Sequence, residues 1–323
     1  MPVTMAAALN AALRDEMRED ERVVIYGEDV GKLGGVFRIT DGLQQEFGEA
    51  RIFDSPVAES GIAGTAIGMA MYGMHPVVEM QFDGFSYPAL DQVISHVAKY
   101  RNRTRGTIGL PMVIRIPYGG GIGAVEHHSE SPEAYYAHTA GLTVVSPGTP
   151  SDAYSLLRES IGHPDPVIFL EPKRRYWMKE DVELPTERDP IGRAVVRRSG
   201  STATLIAYGP MVATAMEAAD AAQSDGWELE VVDVRTLSPL DIETLVTSAS
   251  KTGRAIVVHE AQRFAGYGAE IAAQLNERAF GHLAAPVLRV AGFDVPYPPA
   301  KIERYFLPDP DRILDAVAHS LEY

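Results

Sequence analysis

The sequence contains no cysteine. That excludes a disulfide framework, thiolate nucleophiles and thiolate-ligated metal sites. It also lacks any apolar run approaching the roughly 20 residues needed to cross a bilayer, which speaks against a membrane protein. Residues 1–10 show no basic segment followed by an apolar one, so no secretory signal is expected and the chain reads as cytoplasmic. Positive charge is scarce: 29 Lys and Arg stand against 44 Asp and Glu, a formal net charge of −15. An acidic surface repels phosphate backbones and so disfavours nucleic acid as a partner, while it suits a basic protein. Low-complexity tracts and fixed-period repeats are missing as well.

What is there has the profile of a globular α/β protein. With 323 residues the chain is long enough for two domains with cores of their own. Short apolar runs at Val23–Tyr26, Val77–Phe82, Met112–Ile116, Thr143–Ser146 and Val167–Leu170 read as strands. Helical patterns fit before and between them, at Thr4–Met17, Thr40–Gly48, Glu59–Tyr72, Tyr87–Arg103 and Ser151–Ile161. Strands this apolar imply a doubly wound, mostly parallel sheet covered on both faces. Pro172, Pro185 and Pro190 then punctuate a charged stretch, which predicts a first domain over 1–175, a linker over 176–190 and a second domain over 191–323. In the second domain, strands are expected at Thr202–Ala207, Glu230–Val234, Ala255–Val258 and Val287–Val290. Helices are expected at Met211–Ser224, Asp241–Ser250, Gly268–Arg278 and Asp311–Leu321.

Four segments at strand ends have the residue types for chemistry, since ligands of open α/β sheets bind at that edge. Glu28 and Asp29, in Gly27-Glu28-Asp29-Val30-Gly31, can hold a cation or orient a polar ligand, or can simply form a solvated turn. Glu59 opens a predicted helix, where the dipole favours a carboxylate regardless of function. Gly61, Gly64 and Gly68 share one face of that helix and suggest close approach of another backbone. Gln81 and Phe85 can offer an amide and an aromatic face to a flat heteroaromatic ligand, although Phe85 equally suits a core. Finally, Gly119-Gly120-Gly121-Ile122-Gly123 runs on to His127 and His128. This loop does not match a nucleotide fingerprint, and its histidines are either acid/base groups or a surface pair.

Taken together, these segments resemble the beta subunit of the heterotetrameric 2-oxo acid dehydrogenases, thiamine diphosphate enzymes with a transketolase-like fold. The resemblance spans essentially the whole chain. It rests on the Gly27–Gly31 segment, on Asp54-Ser55-Pro56-Val57-Ala58-Glu59, on Glu79-Met80-Gln81-Phe82, on Asp91-Gln92 and on His127-His128-Ser129-Glu130-Ser131-Pro132-Glu133. Asp233-Val234-Arg235-Thr236-Leu237, Lys251-Thr252-Gly253-Arg254 and Gly292-Phe293-Asp294-Val295-Pro296-Tyr297-Pro298 continue it.

The resemblance implies a pyrimidine-binding domain, a smaller C-terminal α/β domain, and thiamine diphosphate shared with an alpha subunit in an alpha2-beta2 assembly. The alpha subunit would hold Mg2+ and the diphosphate. In keeping with this, none of the three asparagines (Asn10, Asn102, Asn276) follows a Gly-Asp-Gly at the spacing of the magnesium-diphosphate motif. Glu59 matches the glutamate that hydrogen-bonds a pyrimidine nitrogen, Phe85 an aromatic beside that ring and Gln81 a polar contact. Glu28, Val57 and Ala58 match further lining positions. His128, rather than His127, matches the histidine that transfers protons as the acyl group passes to lipoamide on an acyltransferase partner. The potassium site of many relatives would fall near Ser160, His163 and Asp165. His163 replaces an acidic residue there and is a poor ligand for a hard ion, so that site is not expected in its usual form.

Met80-Gln81-Phe82, Ala98-Lys99-Tyr100-Arg101 and Phe169-Leu170-Glu171-Pro172-Lys173 look closer to the branched-chain enzymes than to those acting on pyruvate or acetoin. A non-catalytic assembly subunit is disfavoured because Glu59 and His128 are both present. A Rossmann oxidoreductase is disfavoured because no Gly-x-Gly-x-x-Gly follows an early strand.

Overall fold

A computed structural model describes residues 2–184 and 187–323, so Pro185 of the expected linker lies outside the described residues. Contacts divide the chain into two units, one of residues 1–118 and 135–191, the other of residues 119–134 and 192–323.

The first unit begins with helix α1, Met5–Glu19, capped by the Thr4 hydroxyl, which accepts from Ala7 N at 3.1 Å. Its strands are β1 (Val23–Gly27), β2 (Ile52–Asp54), β3 (His75–Glu79), β4 (Val113–Tyr118), β5 (Thr143–Val145) and β6 (Val167–Pro172). They lie parallel in the order β5-β6-β4-β3-β1-β2. Helix α2, Glu59–Met71, connects β2 to β3, and helix α3, Pro150–Gly162, connects β5 to β6. Every residue of β1, β4 and β6 is buried, as expected of strands covered on both faces. The chain leaves β1 toward β2 on one side and returns to β3 on the other. By the general rule for open α/β sheets, that reversal marks the ligand-binding crevice beyond the carboxyl ends of β1 and β3.

In the second unit, strands β7 (Val195–Arg198), β8 (Ala203–Ala207), β9 (Leu229–Asp233), β10 (Ala255–Gln262) and β11 (Leu288–Gly292) pair in the order β11-β10-β8-β9-β7. Only β7 runs antiparallel among them. Helices α4 (Met211–Ala221), α5 (Ile242–Thr252), α6 (Tyr267–Ala279) and α7 (Pro310–Leu321) cover this sheet. Both units are therefore α/β with mostly parallel sheets, as the strand and helix alternation predicts.

Three local expectations are corrected. The helix predicted over Tyr87–Arg103 is broken into a 3-10 turn at Gly84–Ala89, a helix at Leu90–Ser95, a second 3-10 turn at Val97–Lys99 and a short helix at Tyr100–Arg103. Pro88 lies inside the first turn, and His96, at φ −122° and ψ −62°, interrupts the second half. The helix predicted from Thr40 starts only at Leu43, because the buried Thr40 hydroxyl donates to Val30 O at 2.7 Å and ties the preceding loop down. A strand not expected from the sequence, β2, forms at Ile52–Asp54 and pairs with β1. No helix among the described residues is long and apolar enough to cross a membrane.

Candidate active site

The crevice at the ends of β1 and β3 is lined by carboxylates taken out of water. Glu28 follows β1 directly and is 3% exposed; Glu59, the first residue of α2, is 7% exposed; Glu79 ends β3 at 2%. Gly27 allows this crowding, since a Cβ there would stand 2.5 Å from Glu79 O. The Tyr26 hydroxyl donates to Ile62 O at 2.8 Å and fixes α2, hence Glu59, against β1.

Glu79 is balanced from below. Arg115, fully buried on β4, donates to Glu79 Oε2 at 2.7 Å and to both oxygens of Glu171 at 2.6 and 3.0 Å. The Tyr176 hydroxyl adds a 2.6 Å bond to Glu171. One guanidinium thus serves two carboxylates, which locks the ends of β3, β4 and β6 together. Burial and the second carboxylate still hold the Glu79 carboxyl above its ordinary value, against the pull of Arg115.

Glu28 has no such cation. Its buried oxygens accept from no N–H donor of the chain, and the group that contacts them is a second carboxyl, that of Glu59. Burial first, then the negative charges of Glu59, Asp29 and Glu79, push its carboxyl up to about 7. A buried carboxyl beside a second carboxylate, with no cation between them, favours holding a proton, and N–H donors are the groups that such a pair can accept from.

This shift has a consequence for stability. The folded value, about 7, lies above the ordinary 4.5, so between them the native state binds more protons than the unfolded chain. Stability contributed by Glu28 therefore falls as pH rises through that window. Glu28→Gln removes the titration, and its melting temperature should gain on that of the parent from pH 4.5 to pH 7 and then level off. Thermal unfolding across that range decides it; a pH-independent difference would mean that another group titrates.

The remaining residues expected at the crevice fall around these carboxylates to different degrees. The Gln81 amide donates to Asp29 Oδ2 at 2.9 Å, bridging the β3 and β1 loops, with Asp29 in a left-handed conformation at φ 59°. Phe85 is half-buried, edge-on to Phe82 with ring centroids 5.9 Å apart. Its segment is anchored by a buried Lys173–Asp83 ion pair at 2.5 Å and by Ser86, which donates to Asp83 O at 2.6 Å. Val57 and Ala58 precede Glu59 and are exposed, Val57 at 75%. Gly61 and Gly68 open outward on α2, with nothing of this chain within 4 Å of a Cβ at Gly68.

His127 and His128 belong to the second unit, in its inserted segment. His127 is exposed and His128 half-buried, with ring centroids 4.2 Å apart. His128 Nδ1 lies 3.0 Å from His127 O, and Gly119 N donates to Glu130 O at 2.8 Å, closing the loop. Just beyond it Glu133, fully buried, accepts from the Tyr208 hydroxyl at 2.8 Å, and burial pushes its carboxyl up to about 7.

Near Ser160, His163 and Asp165 the ligand types are already engaged. The Ser160 hydroxyl donates to Leu156 O at 2.6 Å. His163 Nδ1 packs on the Asp165 backbone, 3.2 Å from its N, and the Asp165 carboxylate pairs with Arg101. Among the described residues, no group of three or more His, Cys, Asp or Glu is placed to hold a metal ion.

Sequence reasoning singles out Glu28, Glu59, Gln81 and Phe85 but passes over the ion pairs that support them. Arg115, Glu171 and the Lys173–Asp83 pair had one available signal, a charged residue in or beside an otherwise apolar strand.

Comparison with known proteins places this geometry in context. Residues 1–178 match the family described as transketolase, pyrimidine binding domain, and residues 192–313 match transketolase, C-terminal domain. The 3-methyl-2-oxobutanoate dehydrogenase subunit beta of Mycobacterium tuberculosis is 56% identical, over 99% of this chain and 92% of its own length. The pyruvate dehydrogenase E1 component subunit beta of Leifsonia xyli is 54% identical, over 99% and 95%. A solved structure titled split gene transketolase, inactive beta4 tetramer, superposes with a TM-score of 0.82 at 24% identity, covering 100% of this chain and 99% of that one.

Proposed function

Because the chain belongs to the family of 2-oxo acid dehydrogenase beta subunits built from transketolase pyrimidine-binding and C-terminal domains, we propose that its carboxylate-lined crevice holds the aminopyrimidine of thiamine diphosphate. The reaction served is oxidative decarboxylation of a branched-chain 2-oxo acid of the 3-methyl-2-oxobutanoate type. The carrying observation is the Glu28 and Glu59 pair, two buried carboxyls in contact with each other, one directly after a strand and one opening a helix, with no cation between them.

The residues present fit the group. An aminopyrimidine is flat, bears an exocyclic N–H donor and has a ring nitrogen that can carry a proton. Glu59 accepts from that nitrogen and holds the ring in the tautomer that can pass a proton on. Glu28, held near its titration point, keeps a second proton within reach. Phe85 packs beside the ring, Gln81 makes a polar contact, and Val57 and Ala58 line the way in. When bound, thiamine diphosphate supplies the carbon nucleophile and electron sink that decarboxylation of a 2-oxo acid needs. Its diphosphate and Mg2+ fall to an alpha subunit in an alpha2-beta2 assembly, for which the open glycine face of α2 is a suitable contact.

His128 takes the later step, moving a proton as the acyl group passes to lipoamide carried by an acyltransferase. The net charge of −15 favours docking of a basic module of that partner. Near the position of the potassium site in many relatives, Asp165 is paired with Arg101 and His163 stands in place of an acidic residue, which supports the reading that this site does not keep its usual form.

Substrate size is the finer part of this reading, because the two relatives above differ by one branch of the family at nearly equal identity. With the alpha subunit present, kcat/KM for 3-methyl-2-oxobutanoate should exceed that for pyruvate by about tenfold or more, since each methylene filling an apolar pocket is worth about 1–3 kcal/mol. Carbon dioxide release from the two acids is the measurement. Equal values, or a preference for pyruvate, would move the chain to the pyruvate branch.

A further inference from the structure

The glycine run before His128 is not held by its own side chains, yet it is fixed. Gly121 N donates to Glu303 Oε1 at 2.6 Å and Gly123 N to Glu303 Oε2 at 3.1 Å. The Tyr297 hydroxyl donates to Glu303 Oε1 at 2.7 Å and is itself 3.2 Å from Gly121 N. Gly120 N donates to Glu260 Oε1. Glu260, Tyr297 and Glu303 are buried, and all of these groups belong to the second unit.

The glycines are needed for this arrangement. Gly119, Gly121 and Gly123 are left-handed, at φ 82°, 84° and 72°. A Cβ on Gly120 would collide with the Tyr297 hydroxyl. Four glycines in five residues would otherwise give the most mobile backbone in the chain. Carboxylates accepting from backbone N–H groups make strong, directional bonds, and a two-oxygen grip on two amides fixes orientation as well as position. Tyr297 remains a donor because burial and the adjacent carboxylate hold its phenol well above the ordinary value.

We propose that Glu303, braced by Tyr297 and seconded by Glu260, is a positioning clamp that sets the Gly119–Gly123 loop and thereby the place of His128. Glu303 touches neither substrate nor cofactor; it acts through the loop. The inference rests on the role given to His128 above, and the test separates the two.

The assembled alpha2-beta2 protein carrying Glu303→Ala is compared with the parent and with His128→Ala. Amide hydrogen exchange is followed over residues 119–132, and acylation of a lipoyl domain is timed. In Glu303→Ala, exchange of the loop amides should rise about tenfold or more. The acylation rate should fall about tenfold or more, with KM for the lipoyl domain little changed and Glu303→Gln, which keeps one acceptor, intermediate. Loop amides that exchange at the parental rate overturn the clamp. Faster exchange with normal acylation, while His128→Ala fails to acylate, overturns the positioning role. Normal acylation by both variants instead removes the role of His128, whatever the loop does, and the positioning role with it. If Glu303→Ala does not assemble, Tyr297→Phe, which removes one hydroxyl and leaves the carboxylate, must show the same pattern in smaller degree; parental exchange and acylation in it overturn the clamp.

Discussion

Glu59→Ala or Glu59→Gln, in the assembled protein, is expected to lower 2-oxo acid decarboxylation by about 10²–10⁴-fold, the range contributed by a positioned acid/base group. The loss should appear in turnover, with the substrate KM and the retention of thiamine diphosphate changed far less, because the contact proposed for Glu59 is with the pyrimidine end of that ligand alone. The Gln variant is the sharper of the two. It keeps the shape and one acceptor oxygen but cannot hold a proton from the ring nitrogen.

Stability supplies an independent control. Glu59 is one of the charges that push the Glu28 carboxyl up to about 7. Neutralising it relieves a repulsion between buried carboxylates, so Glu59→Gln should melt at the parental temperature or above it. A buried glutamate kept for packing would behave in the opposite way, with loss of its bonds lowering the melting temperature. An inactive variant that is at least as stable as the parent marks a group maintained for chemistry at a cost to the fold. Turnover near the parental level would remove the carboxylate pair from the mechanism.

Why Glu59 could be found from sequence, and its supports could not, follows from the range of the forces involved. A carboxylate opening a helix is a local pattern, and so is Glu28 directly after β1. Arg115 is different. Its strand reads as apolar, and its partners Glu79 and Glu171 are 36 and 56 residues away, on the two strands that flank β4. Only parallel pairing in the right register brings the three side chains together. Glu260, Glu303 and Tyr297 lie 140 to 182 residues beyond the loop they hold. A backbone N–H donating to a distant carboxylate leaves no periodicity and no composition signal. The misread helix at Tyr87–Arg103 shows the converse, an apolar period that is real but cut by Pro88 and His96. What sequence conveys well here is the alternation of strands and helices and the residues at strand ends; the order of the strands, and the short strand at Ile52–Asp54, it does not convey. What it conveys poorly is electrostatic compensation across strands.

His128→Ala is expected to reduce acylation of a lipoyl domain by about 10²-fold or more. Binding of thiamine diphosphate should change by no more than about threefold, since a residue acting late in the cycle contributes little to the earlier complex. His127 O, 3.0 Å from His128 Nδ1, can only accept, so a hydrogen bond between them puts the hydrogen on Nδ1. His127 is exposed, and the group it offers to His128 Nδ1 is its backbone carbonyl, which His127→Ala keeps, so that variant should retain most of the acylation rate. Asparagine at 128 can still donate one hydrogen bond but cannot exchange a proton. It should therefore be as slow as alanine. Acylation at the parental rate in His128→Ala or in His128→Asn would transfer the proton to another group and leave the loop with a docking role alone.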